Sequence, residues 1–212
     1  MIDDPSTVAT PELAIVAAGF DPSGEAAATE ALSAAVGELR ARAHAAVERH
    51  RPRRVAERLA ALGDDDVVVR RRGCELEARF PRRSVRVASR LAELLDDDDA
   101  LVVVAACEAL GEIGDVSGIA ALCRTARAHV DPRCREAAVA ALGSLGAPEG
   151  LGAVLDALDD KPAVRRRATV ALAGFEGPEV EAALRRSLED RDWQVRQAAE
   201  ALRPSPEGAV PE

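Results

Sequence analysis

Residues 160–175 read DKPAVRRRATVALAGF. Val164, Ala168, Leu172 and Phe175 stand at offsets 0, 4, 8 and 11, which puts them on one face of an α-helix. The same face recurs along the chain. Val69-Arg70, Val102-Val103, Cys134-Arg135, Val164-Arg165 and Val195-Arg196 follow one another at spacings of 33, 32, 30 and 31 residues. Four residues after each first member sits a small residue: Gly73, Ala106, Ala138, Ala168 or Ala199. Seven or eight after it sits Leu76, Leu110, Leu142, Leu172 or Leu202, and eleven after it, in four of the five, Phe80, Ile113, Leu145 or Phe175. A small residue in mid-stripe lets a neighbouring helix come close. A period near thirty residues is the mark of a repeat array.

Between these helices the spacing predicts second helices. Their stripes are Val85/Ala88/Ala92/Leu95, Val116/Ile119/Ala120/Cys123, Leu151/Val154/Leu155/Leu158 and Val180/Ala183/Leu184/Leu188. Pro81, Gly114, Gly146 to Pro148 and Gly177-Pro178 fall where hairpin turns are needed, and Gly143 and Gly150 read as turn glycines with them. Acidic runs mark the joins between units, where carboxylates favour the next helix N-terminus. Asp64, Asp97, Asp159 and Asp190 each stand six residues before Arg70, Val103, Arg165 and Arg196. That spacing predicts a ladder of ion pairs between stacked units, with the rung at Val103 missing. These arginines are therefore read as structural.

The chain has 212 residues and 48% hydrophobic content, but its only aromatic side chains are Phe20, Phe80, Phe175 and Trp193. A core of Ala, Val and Leu favours packed helices over a β-sandwich. No apolar run approaches the roughly 20 residues of a membrane span. Four scattered cysteines do not make a disulfide scaffold or a zinc site, so the expectation is a reduced, cytoplasmic protein. The net charge of −9 is unevenly spread. Residues 1–38 hold seven acids and no base, 39–90 hold fifteen arginines against seven acids, and 91–212 are net −10. Lys161 is the sole lysine.

Together with residues 160–175, the segments DPRCREAAVAALGSLG (131–146) and DRDWQVRQAAEAL (190–202) resemble the HEAT repeat family, in the short bacterial form of phycobilisome-lyase-type repeats. The likeness spans roughly 64–204 and is loosest over 64–95, where Arg72 and Glu77 interrupt the apolar face. It implies an all-α, right-handed α-solenoid of stacked antiparallel hairpins, whose second helices line a concave side suited to a macromolecular partner. Residues 34–63 form a degenerate first hairpin in this reading. Units follow at 64–95, 96–128, 129–158 and 159–188, with a terminal half-repeat at 189–204. An acidic, alanine-rich segment occupies 1–33, read as a loose helix over the first unit, and a disordered tail 205–212.

Arginines supply the candidate site. Arg82, Arg86 and Arg90 recur every four residues, with Arg83 beside them; Arg54 and Arg58 do the same on the preceding second helix. Side by side they would present guanidinium ridges to carboxylates or phosphates. The alternative is a solvated face neutralised by residues 1–38. No catalytic constellation, metal site or cofactor site is expected. His44, His50 and His129 lack the His-Glu pairing that holds iron in deoxyhypusine hydroxylase, a HEAT-repeat enzyme, and no Gly-rich phosphate loop is present. Cys107, Cys123 and Cys134 read as inert core thiols, Cys74 as partly exposed. Bilin lyases share the repeat type, which makes tetrapyrrole chemistry the enzymatic alternative. A nucleic-acid-binding solenoid is disfavoured by the acidic second half and the scarcity of aromatics. The expectation is a monomeric or weakly self-associating adaptor with an acidic protein partner and no membrane contact. Trp193 is read as a cap on the C-terminal end of the solenoid, with an exposed anchor for a partner or a second copy as the alternative.

Overall fold

The computed structural model describes residues 29, 31–33, 36–50 and 52–203. The expectations for 1–33 and for 205–212 therefore lie almost wholly outside the described residues. Among the described residues, eleven α-helices alternate as first and second members of hairpins. The first helices are α1 (Gly37–His50), α3 (Val67–Arg79), α5 (Ala100–Ile113), α7 (Pro132–Leu145), α9 (Pro162–Ala171) and α11 (Trp193–Ala201). The second helices are α2 (Val55–Leu62), α4 (Val85–Glu93), α6 (Ile119–Ala128), α8 (Pro148–Asp156) and α10 (Pro178–Ser187). Each first helix packs on the next, α1 on α3 through to α9 on α11, and the second helices form a parallel layer beside them. The result is the all-α, right-handed solenoid expected from the repeat. One continuous core runs from Leu62 to Ala183, built from Ala, Val, Leu, Ile and Cys with Phe175 as its aromatic member.

Local chemistry sets the helix ends. Asp66, Asp99, Asp131 and Asp192 cap α3, α5, α7 and α11, each accepting a backbone N–H from the first turn. Gly114 (φ 68°) and Gly146 (φ 59°) close α5 and α7 in the left-handed region that a Cβ disfavours. Gly143 is no turn residue. It lies inside α7, where a Cβ would come within 2.6 Å of the Ala171 Cβ. Gly150 likewise lies inside α8, buried against Leu142. These glycines set how closely neighbouring helices approach.

The ladder is present and longer than expected. Arg40, Arg70, Arg135 and Arg165 each reach the following unit and hold Asp64, Asp97, Asp160 and Asp190 bidentately, all at 2.6–3.1 Å. The acid in the 159–188 unit is Asp160, not Asp159, because the turn before α9 is one residue shorter and runs straight into Lys161 and Pro162. Nη1 of Arg70, Arg135, Arg165 and Arg196 also donates to a carbonyl in its own turn. At the gap, Val103 is buried and His129 stands in place of the acid. The His129 Nδ1 accepts the Asp131 N–H at 3.1 Å, as Asp64, Asp97 and Asp190 do for Asp66, Asp99 and Asp192.

Several expected core positions lie elsewhere. Val85 opens α4 and Val116 the 3-10 turn before α6, and both protrude, Val85 being 69% exposed. The stripe of α4 and the 3-10 turn that follows it is Val87, Ala88, Leu91, Leu94 and Leu95, rotated so that the larger aliphatics face inward. Phe80 is 37% exposed because α3 ends at Arg79, and its ring lies beneath the Arg79 guanidinium at 5.7 Å. Trp193 does not cap the stack by burial: it sits at the first position of α11 and is 61% exposed. Cys74 is fully buried.

Candidate functional site

The two edges of the solenoid differ in charge. Joins between hairpins carry the aspartates of the ladder and caps. Turns within the first two hairpins carry arginines: Pro52 to Arg54 before α2, and Arg79 to Arg83 before α4. The repeat favours this alternation, since most joins cap a first helix with an aspartate and receive an arginine, the join before α7 receiving none and that before α9 having no side-chain cap, whereas a turn inside a hairpin has no such duty.

The structure divides the six arginines singled out by spacing. Arg58 is not on the surface. It donates to both Glu77 oxygens, Nε at 2.9 and 3.0 Å, and its Nη2 reaches the Arg82 carbonyl at 2.9 Å. Arg53, also buried, bridges Glu48 (3.0 Å) and Glu77 (2.8 Å), and Arg82 closes the network on Glu48. Glu77 thus interrupts the apolar face because it is the anion that two buried guanidiniums require; its side chain is 1% exposed. Leaving either charge unpaired in the core would cost several kcal/mol. Burial works to raise the Glu48 carboxyl, but hydrogen bonds from Arg82 and Arg53 outweigh it and hold Glu48 below the usual range. The network pins the turns before α2 and α4 together.

Arg54, Arg83 and Arg86 remain exposed. Arg54 lies beside Glu57 at 3.4 Å with its side chain 74% exposed. Arg83 reaches over the turn at Gly114, where a Cβ would come within 3.8 Å of its Nη2. Arg90 is half-buried, spanning the Leu62 carbonyl (3.3 Å) and Glu93 (2.7 Å), and ties α4 back to α2. Sequence reasoning missed Arg79 and three exposed apolar neighbours at this edge: Val55, Phe80 and Val85. The Arg-Phe-Pro run at 79–81 was the available signal, since Pro81 ends α3 early and leaves Phe80 outside the core. Arg79, Arg83 and Arg86 make no ion pair among the described residues. The edge is therefore a cationic, part-apolar surface, in which the Arg79 guanidinium lies over the Phe80 ring.

Other chemistry is sparse. Burial pushes the Cys74 and Cys107 thiols up, and that of Cys134 up to about 11, so none is a thiolate at neutral pH. Among the described residues no group of three or more His, Cys, Asp or Glu side chains is placed to hold a metal ion, and no helix is long and apolar enough to cross a membrane.

Comparison with solved structures gives the same fold. The chain is similar to the complex of CpcE and CpcF of phycocyanin lyase from Nostoc sp. PCC7120, at 21% identity and a TM-score of 0.59, over 94% of this chain and 77% of that one. It is similar to a designed armadillo repeat protein at 17% identity and a TM-score of 0.53, over 90% and 97% of the two chains. An engineered protein aligns at 16% identity and a TM-score of 0.61, over 93% of this chain and 64% of that one. At these identities the likeness is one of fold. No curated protein matches the sequence. The sequence itself matches HEAT repeats over residues 55–143 and 125–203, which together take in ten of the eleven helices described above. With the period, the stacked first helices and the solenoid fold all in agreement, the chain belongs to the HEAT repeat family.

Proposed function

We propose that this protein is a non-catalytic adaptor that grips an acidic segment of a partner protein along the arginine edge of its first two hairpins. The observation that carries the reading is the set of exposed arginines Arg54, Arg79, Arg83 and Arg86 beside Val55, Phe80 and Val85. Guanidinium groups take carboxylates bidentately, and the apolar neighbours exclude water around those contacts. Arg90 and Arg82 support the edge from beneath. A phosphate backbone is a poorer occupant, because residues 91–212 are net −10 and would repel a long polyanion. Four buried free cysteines suit a reducing, cytoplasmic setting.

The test is the anisotropy of a fluorescent polyglutamate peptide titrated with the full chain. Arg83→Glu with Arg86→Glu should weaken binding about tenfold or more, and Phe80→Ala by a smaller factor, with helicity unchanged. Affinity indifferent to both variants would remove the edge as the binding surface.

A further inference from the structure

A second arginine cluster lies on the first-helix side of the same hairpins, outside the edge. α1 and α3 pack side by side and leave an open groove of about 360 Å³ between them. Its floor is small and apolar, with Ala41 and Ala45 from α1 and Val68 from α3. Its rims are cationic. Arg42 and Arg49 rise from α1, and Arg71 and Arg72 from α3. Glu38 takes Arg42 at 3.2 Å, and Glu75 is shared between Arg72 at 2.9 Å and Arg71 at 3.6 Å. Arg49 meets no carboxylate among the described residues. Four guanidiniums against two carboxylates leave the groove net positive.

The form of the groove narrows its occupant. Its lining residues run from position 38 to 49 on α1, roughly 16 Å of helix. Arg42 and Arg49 stand seven residues apart, about 10 Å along the axis, so the cations are strung out and do not converge on one point. A row of carboxylates matches that spacing better than a single phosphate. Both walls are α-helices with their backbone groups already paired, so an extended strand finds no edge to join. Alanines on the floor leave room for side chains of a third helix.

We propose that this groove docks an amphipathic helix of a partner protein, with small apolar residues against Ala41 and Ala45 and acidic residues on both flanks. This surface is separate from the arginine edge. With both occupied, the two N-terminal hairpins hold two acidic segments at once.

The experiment uses the full chain and a fluorescent synthetic helix of Glu, Ala and Leu with carboxylates on both flanks. Arg49→Glu with Arg71→Glu should weaken binding about tenfold or more, while Arg83→Glu with Arg86→Glu should leave it within about twofold. Arg49→Ala, which removes a side chain that makes no ion pair among the described residues, should weaken it by a smaller factor and guards against misfolding of the double variant. The same peptide with Lys in place of Glu should not bind. Failure of the wild-type chain to bind would overturn the proposal. So would equal binding by the groove variants, loss confined to the edge variant, or displacement by equimolar inorganic phosphate. The polyglutamate titration of the edge reads out independently, so either surface can fail alone.

Discussion

Glu77 lies in the interior of α3 with its carboxylate between Arg53 and Arg58, and Glu48 lies between Arg53 and Arg82. Three guanidiniums face two carboxylates, and the Arg53 Nη1 and His44 Nδ1 are left buried without a hydrogen-bond partner among the described residues. His44 is therefore neutral in the fold: burial, then the Arg53 charge, pushes it down to about 4. The unfolded chain takes up this proton near pH 6.5, before the folded one does. Stability is then complete above pH 6.5 and declines as pH falls towards 4, by on the order of 3 kcal/mol. His44→Leu should flatten the urea-unfolding free energy between pH 6.5 and 4.5, whereas an undiminished slope would place the acid sensitivity elsewhere. Below that range the ladder aspartates add to the loss, because Asp64 and its counterparts are held below the usual carboxylate range by their arginines. At this scale the sequence was partly legible. Glu77 stood out as a break in the stripe, but its partners, 19 and 24 residues away, come from α2 and the turn before it, which spacing alone could not supply.

Between elements, one motif repeats: a capping aspartate, a second acid two residues earlier, and an arginine that reaches the next unit. The motif was legible because all its parts lie within a few residues, and Val103 was legible as a gap. The compensation was not. His129 keeps the hydrogen bond to the Asp131 N–H but offers no carboxylate, so the third and fourth hairpins lack an ion pair at that position and are joined there by apolar packing and by the Cys134 thiol donating to the Ala100 carbonyl at 3.4 Å. Restoring the rung needs both changes. Val103→Arg alone should destabilise, since the new guanidinium finds an imidazole. Combined with His129→Asp, it should show a favourable coupling of about 1–2 kcal/mol in a double-mutant cycle of thermal unfolding. Purely additive effects would show that the ladder does not join the units energetically. The stripes of α4 and α6 lie about one position away from those the spacing predicts, because Val85, at the start of α4, and Val116, in the 3-10 turn before α6, face water though aliphatic. Apolar identity at a helix's first turn does not distinguish a core residue from a docking residue.

Over the whole molecule, the array divides by charge. The first two hairpins are rich in arginine, some of it buried as structure and some exposed on the edge and in the α1/α3 groove. The later hairpins extend the core and carry excess acid. That division was visible in the charge blocks of the sequence, since it is a sum over residues and needs no geometry. Which arginines are free was not visible, because burial follows from the stacking of helices far apart in the chain. Recruitment of acidic partners should therefore be confined to one end. Hydrogen–deuterium exchange of the full chain, with and without saturating polyglutamate peptide, measures this directly. Protection limited to residues 38–90 is expected, while protection centred on 129–203, or none at all, would contradict an arginine-bearing N-terminal end as the binding surface.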